Sequence, residues 1–189
     1  MSKAALLLID MQNDFVLEGK PLQVKGARSI IPNIRHVLDQ FRSAGLPVFH
    51  VVRIHRSDGS DVEIMRKELF QKSPFAVEGT SGAAVIHELA PLECEYLLPK
   101  IRMSAFIGTG LDLTLRTLAV DTIVVAGIQT PNCIRTTVFD AMAYNYHTFL
   151  ATDATAAQND EIHQNNVRDM ANIGVQIIRS TDIASCLKR

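Results

Sequence analysis

Two short apolar runs in this chain show no alternation of apolar and polar residues. Ala4-Ala-Leu-Leu-Leu-Ile9 and Ile123-Val-Val-Ala126 read as strands covered on both faces, and such strands belong in a parallel sheet. Parallel neighbours need crossover connections, and the stretches between strand candidates supply them. From Ser29 to Ala44, apolar residues recur at Ile30, Ile34, Val37 or Leu38, and Phe41. That is one face of a helix, stopped by Gly45 and Pro47. Further strand candidates at 48–54, 96–98, 147–151 and 175–178 alternate with helices. One helix carries Leu111, Leu115 and Leu118. A second turns Ile134, Val138, Ala141 and Met142 inward, and a third, from about 161 to 173, ends at Gly174. A short amphipathic tail starts at Asp182. The expected fold is α/β: a three-layer, doubly wound sheet of about six mostly parallel strands in the order 3-2-1-4-5-6, with helices on both faces.

Composition narrows the functional class. A chain of 189 residues fits one domain, 1–189, with a sizeable core. Net charge is −1 with acids and bases intermixed, so neither nucleic acid nor an anionic membrane surface is an expected partner. The run Ala4–Ile9 is too short to span a membrane and lacks the pattern of a signal peptide. Cys94, Cys133 and Cys186 have no metal-type spacing, and their odd count argues against a disulfide framework. A reducing cytoplasm is the expected location.

The chemistry-bearing residues fall at strand ends. After Ile123–Ala126 the chain breaks at Gly127, and Thr130-Pro131 reads as an N-cap and first helical residue. Cys133 then sits in the first helical turn, where unpaired N–H groups and the helix dipole lower a thiol from its free pKa of about 8.5. A small buried core cysteine is an equally good reading of that stretch alone. Asp10 follows the first strand and Lys100 the third. In open α/β sheets ligands bind outside the carboxyl ends of the strands where strand order reverses, here between the first and fourth. Asp10 and Cys133 therefore flank one crevice, with Lys100 within reach. Between 55 and 82 runs a long polar stretch with a helix candidate near 62–70, read as a lid, an interface segment or a tolerated insertion. A loop holding Gly19, Pro21 and Gly26 follows the first strand.

Four motifs, in order along nearly the whole chain, resemble the isochorismatase-like cysteine hydrolase superfamily. They are Leu8-Ile-Asp-Met-Gln-Asn-Asp-Phe15, Lys100-x-Arg-x-Ser-Ala-Phe106, Ala126-Gly-Ile-Gln-Thr-Pro-Asn-Cys133 and Asp153-Ala-Thr-Ala-Ala157. The chain is similar to the branch that holds nicotinamidase, carbamoylsarcosine amidohydrolase, ureidoacrylate amidohydrolase and biuret hydrolase. The resemblance implies a catalytic triad on Asp10, Lys100 and Cys133, and a non-proline cis peptide at Ile128–Gln129. In that reading Asp10 moves the proton, Lys100 holds the ionised pair, and the Cys133 thiolate attacks an amide or ureide carbonyl. The N–H groups of Gln129 and Cys133 form the oxyanion hole.

The chain also departs from the nicotinamidase pattern. Where those enzymes carry a metal-binding Asp-x-His, this sequence has Arg53-Ile-His55, with Asp61 beyond. An arginine brings positive charge where a cation would sit, so no metal and no cofactor are expected. His50, His55, His87, His147 and His163 read as ordinary surface or core histidines. Phe15 and Phe106 are expected to wall the pocket, and the Gln129 side chain to hydrogen-bond a urea-like group. Arg53, Arg102 and Arg135 are candidates for a substrate carboxylate, and equally for surface or subunit contacts. The expected activity is metal-independent hydrolysis of a C–N bond in a small amide, carbamoyl or ureido compound, by a homodimer or homotetramer. A catalytically silent binding protein and an ether hydrolase of the same fold are the alternatives, and the thiol speaks against the second.

Overall fold

The computed structural model describes residues 3–20 and 22–186, without the side chains of Ser185 and Cys186. Pro21 and the end of the amphipathic tail therefore lie outside the described residues, as does the side chain of Cys186. Six strands form one sheet: β1 (Ala4–Ile9), β2 (Val48–Arg53), β3 (Tyr96–Lys100), β4 (Thr122–Ile128), β5 (His147–Ala156) and β6 (Gln176–Ile178). Their order is β3-β2-β1-β4-β5-β6 and every pairing is parallel, as the unalternating runs require.

The pleat of β1 divides its side chains between two cores. Ala4, Leu6 and Leu8 join Ile34, Val37, Leu38 and Phe41 of α2 (Ile31–Ser43). Ala5, Leu7 and Ile9 join Leu111 and Leu115 of α4 (Leu111–Thr117), Val138 and Ala141 of α5 (Arg135–Ala143), and Met170 of α6 (Asp160–Asn172). Apolar side chains buried on both faces make β1 the centre of the domain.

Several boundaries differ from the sequence reading, each for a local reason. β3 runs through Pro99 to Lys100, which is possible because it is the edge strand and the missing N–H is not needed on its open side. β5 continues past Ala151 to Ala156, with a register shift opposite β4 between Val125 and Gly127. The helix expected near 62–70 is a 3₁₀ turn at Ile64–Arg66 followed by α3 (Lys67–Lys72). A one-turn helix, α1 (Asn13–Val16), follows Asp10 and carries no periodic signal.

Gly127 does not break β4 but lies inside it, opposite Ile9 of β1 and at φ +111°. A β-carbon there would stand 2.2 Å from the Ile9 carbonyl oxygen and 2.7 Å from its nitrogen, both rigid backbone atoms. Gly127→Ala is therefore expected to cost roughly 3 kcal/mol or more, seen as a lowered urea midpoint. An unchanged midpoint would mean that β1 and β4 need not approach so closely. This approach matters because the two chains that emerge from it carry Asp10 and Cys133.

Candidate active site

Asp10 leaves β1 in the left-handed region, at φ +54°, which L residues rarely adopt. Its N–H is held by the Val51 carbonyl at 2.8 Å, and its side chain is buried. Lys100, at the end of β3, has a side chain with no solvent exposure. Its Nζ donates to Asp10 Oδ2 at 3.0 Å and to the Arg102 carbonyl at 3.2 Å, and lies 3.4 Å from Cys133 Sγ. The structure thus brings the three expected side chains into mutual contact. Asp10 Oδ1 is buried with no hydrogen-bond partner among the described residues. A buried lone acceptor beside a thiol and an ammonium is an unspent hydrogen-bonding site, of the kind found where substrate binds.

Cys133 is reached differently from the way the sequence suggests. Gln129 is the residue before the helix, and residues Thr130–Ile134 form a π-helical turn closed by the Ile134 N–H on the Gln129 carbonyl at 3.1 Å. Thr130 does not cap that turn; its hydroxyl lies 2.8 Å from His163 Nδ1 of α6. The Ile128–Gln129 peptide is cis. The thiol sits buried within that π-helical turn. Burial pushes it above the usual thiol range, and the Asp10 carboxylate beside it adds to the rise, against Lys100 and Arg53.

Arg53, which in sequence reads as a departure from the metal motif and as a candidate for a substrate carboxylate or a surface contact, reaches the thiol itself. Its side chain is almost fully buried, with Nη2 3.7 Å from Cys133 Sγ. Nη1 donates to Glu63 Oε1 at 2.7 Å and lies 3.5 Å from His55 Nε2, while His55 Nδ1 is 3.2 Å from Asp61. Burial works against the Arg53 charge, but Cys133, Asp10 and Glu63 raise its pKa beyond the ordinary guanidinium range. His55 is pushed below the ordinary imidazole value by burial and by Arg53, so it is neutral beside that cation. This donor set does not fit a metal ion. A guanidinium occupies the space beside His55, and among the described residues no group of three or more His, Cys, Asp or Glu side chains could hold one.

Gln12, within the first motif, fixes this geometry. Its side-chain amide donates to the Arg53 and Ala83 carbonyls at 2.8 and 2.7 Å, and its Oε1 accepts from Arg53 N–H at 2.7 Å. The 55–82 stretch folds over the same end of the sheet. Ala76 N–H donates to Asp14 at 2.8 Å, and Phe75 packs against Phe15, Phe70 and His55.

A cavity of about 50 Å³ opens onto the thiol. Asp10, Arg53, Cys133, Gln129 and Asn132 supply its polar lining with Arg66, and Phe15, Leu22, Val24 and Ile128 its apolar wall. Phe106 is not among them, which corrects the expectation. It is buried against Tyr144 and Tyr146, with ring centroids 5.2 and 6.1 Å away. Arg102 and Arg135 are also committed elsewhere: Arg102 to the Asp61 and Ile101 carbonyls, Arg135 to Asn166 and Asp169. Arg66, Glu63, Asn132, Leu22 and Val24 are not singled out by the sequence, because none belongs to a periodic apolar face that points to the cavity. A larger groove of about 520 Å³, lined by Asp153, Thr155, His163 and Arg179 among others, includes none of Asp10, Lys100 or Cys133.

The chain resembles known proteins over nearly its whole length. The family model for the isochorismatase domain matches residues 4–182. A protein described as a probable inactive nicotinamidase from Arabidopsis thaliana is 48% identical, over 91% of this chain and 90% of that one. A maleamate amidohydrolase from Pseudomonas putida is 31% identical, over 89% of this chain and 79% of its own length. Among solved structures, an isochorismatase family protein from Desulfovibrio vulgaris superimposes with a TM-score of 0.97 at 43% identity, covering 100% of both chains.

Proposed function

Since the chain belongs to the isochorismatase family, we propose that it is a cysteine hydrolase that cleaves a C–N bond in a small amide, carbamoyl or ureido compound without a metal. The contact of Lys100 Nζ with both Asp10 and Cys133 Sγ, at 3.0 and 3.4 Å inside a buried site, carries the proposal. Asp10 takes the thiol proton and returns it to the leaving nitrogen. Lys100 and Arg53 stabilise the thiolate that this transfer creates, since both oppose the rise of the thiol pKa. The thiolate adds to the carbonyl, the C–N bond breaks with departure of ammonia or an amine, and water hydrolyses the resulting thioester. The N–H groups of Gln129 and Cys133 stabilise the oxyanion, and each such donor contributes about 3–4 kcal/mol of barrier lowering in enzymes of known mechanism.

A second reading has one specific observation in its favour. The relative at 48% identity is described as probably inactive, which suits a protein that binds its ligand without turnover. Both readings meet the same test. Ammonia release is measured over a panel of small amides, ureides and carbamoyl amino acids, with EDTA present throughout, and acid-quenched protein is weighed for an acyl adduct on Cys133. Release with an adduct supports the thiol mechanism. Release that EDTA abolishes would overturn metal independence, and silence across the panel would favour the binding protein.

A further inference from the structure

The turn that carries the thiol is closed in a register that spares one N–H group. In an α-helical turn the Gln129 carbonyl would accept from the residue four positions on, which is Cys133. Here it accepts instead from the Asn132 and Ile134 N–H groups, each at 3.1 Å. The wider ring to Ile134 passes over Cys133, whose N–H is one of the two donors proposed for the oxyanion. A π turn is rare and is kept mostly at functional sites. Something outside this turn must hold it, because relaxation to the α form would spend the Cys133 N–H on Gln129.

Helix α6 supplies the hold at both ends. His163 Nδ1 meets the Thr130 hydroxyl at 2.8 Å, at the first residue of the turn. Three residues on, and so on the same face of α6, Asn166 Oδ1 accepts from Arg135 Nη1 at 2.9 Å. Asp169 pairs with Arg135 Nη2 at 3.1 Å, just past the end of the turn. The two anchors are unequal. Arg135 and Asp169 are partly exposed, and water weakens such a pair. Thr130 and His163 are buried, and among the described residues neither side chain has another hydrogen-bond partner. Losing that bond would leave a buried polar atom unpaired on each side. Burial holds His163 below the ordinary imidazole range, so a neutral ring meets the hydroxyl. Resting on the hydrolase reading above, we infer that His163 is a positioning residue. Acting through Thr130, it holds the turn in its π register and keeps the Cys133 N–H free for the substrate oxyanion.

Two variants each remove this bond: His163→Phe keeps a flat ring without the nitrogen, and Thr130→Val keeps the shape without the hydroxyl. Each is expected to lower kcat on the best substrate of the panel by about 10²-fold with KM nearly unchanged. That split marks a contact made in the transition state. The double variant should lose no more than either single one, since both remove the same bond. His163→Asn, whose amide can stand where Nδ1 stands, should recover most of kcat. A merely structural histidine would lower the melting midpoint and leave both kinetic constants in place. Crystal structures of the two variants read the register apart from turnover, and there the Gln129 carbonyl should meet the Cys133 N–H in place of that of Ile134. Wild-type kcat in a folded variant, or a loss carried by KM, would overturn the inference and leave the hydrolase reading intact. An unchanged π turn would overturn it whether or not the protein hydrolyses anything. A wild type silent on every substrate, with a turn that relaxes in the variants, would sink the hydrolase reading and uphold the hold of His163 on the turn. If His163→Phe does not fold, Thr130→Val decides alone.

Discussion

Cys133→Ala is expected to bring ammonia release to the uncatalysed background, a loss on the order of 10⁴-fold or more. The size of the effect follows from what else the site contains. Asp10 Oδ1, buried without a partner among the described residues, can receive a proton but is a poor substitute nucleophile for a carbonyl so close to a thiol. Cys133→Ser should be equally silent, because a hydroxyl is far harder to ionise than a thiol, and this site raises even the thiol. Stability should change by only about 1–2 kcal/mol in Cys133→Ala, since one sulfur atom is lost from a packed but small contact. A thermal melt checks that the protein tested is folded. Turnover that persists in a folded Cys133→Ala protein would remove the nucleophile from this residue, and the acyl adduct should vanish with it.

How much of this site could be read in the sequence depends on which force places each residue. Strands β1 and β4 were legible because burial on both faces leaves an unalternating run, and their ends located Asp10 and the loop toward Cys133. In sequence Gly127 reads as a break, yet it lies inside β4. A glycine inside a strand and a glycine after one look alike in sequence, and only the Ile9 backbone, standing where a β-carbon of residue 127 would need room, distinguishes them. Phe106 lies beside a motif, yet its ring turns to Tyr144 and Tyr146, because adjacency along the chain says nothing about which face a side chain takes. In sequence Arg53 reads as a missing metal ligand or as a candidate for a substrate carboxylate. Its positive role, closing on Glu63 and reaching Cys133, needs β2 and the 55–82 stretch to meet in space. Arg66 gives no signal in sequence, since only the fold brings it to the cavity that holds the thiol.

Asp10→Asn should separate two quantities that usually move together. Turnover is expected to fall by about 10²–10⁴-fold, because an amide can neither take the thiol proton nor hand it to the leaving nitrogen. The thiol itself should become easier to ionise. In the native site the Asp10 carboxylate raises the Cys133 pKa, both by its charge and by accepting from the thiol, while Lys100 and Arg53 lower it. Removing that carboxylate leaves burial opposed by Lys100, now without its partner, and by Arg53, still paired with Glu63, so the shift is downward. Alkylation by iodoacetamide, followed against pH, reads this directly. The native thiol should gain reactivity only above the free-cysteine value of about 8.5, and the Asp10→Asn curve should move to lower pH. The fold is kept by the near-isosteric amide, whose oxygen still accepts from Lys100 Nζ. A thiol that titrates unchanged would mean that Asp10 does not face the sulfur as a charge, and turnover that survives would give proton transfer to another group. The expected outcome, a more reactive thiol in a less active protein, would show that the site is built to transfer the thiol proton to Asp10 within the catalytic cycle and not to store a thiolate.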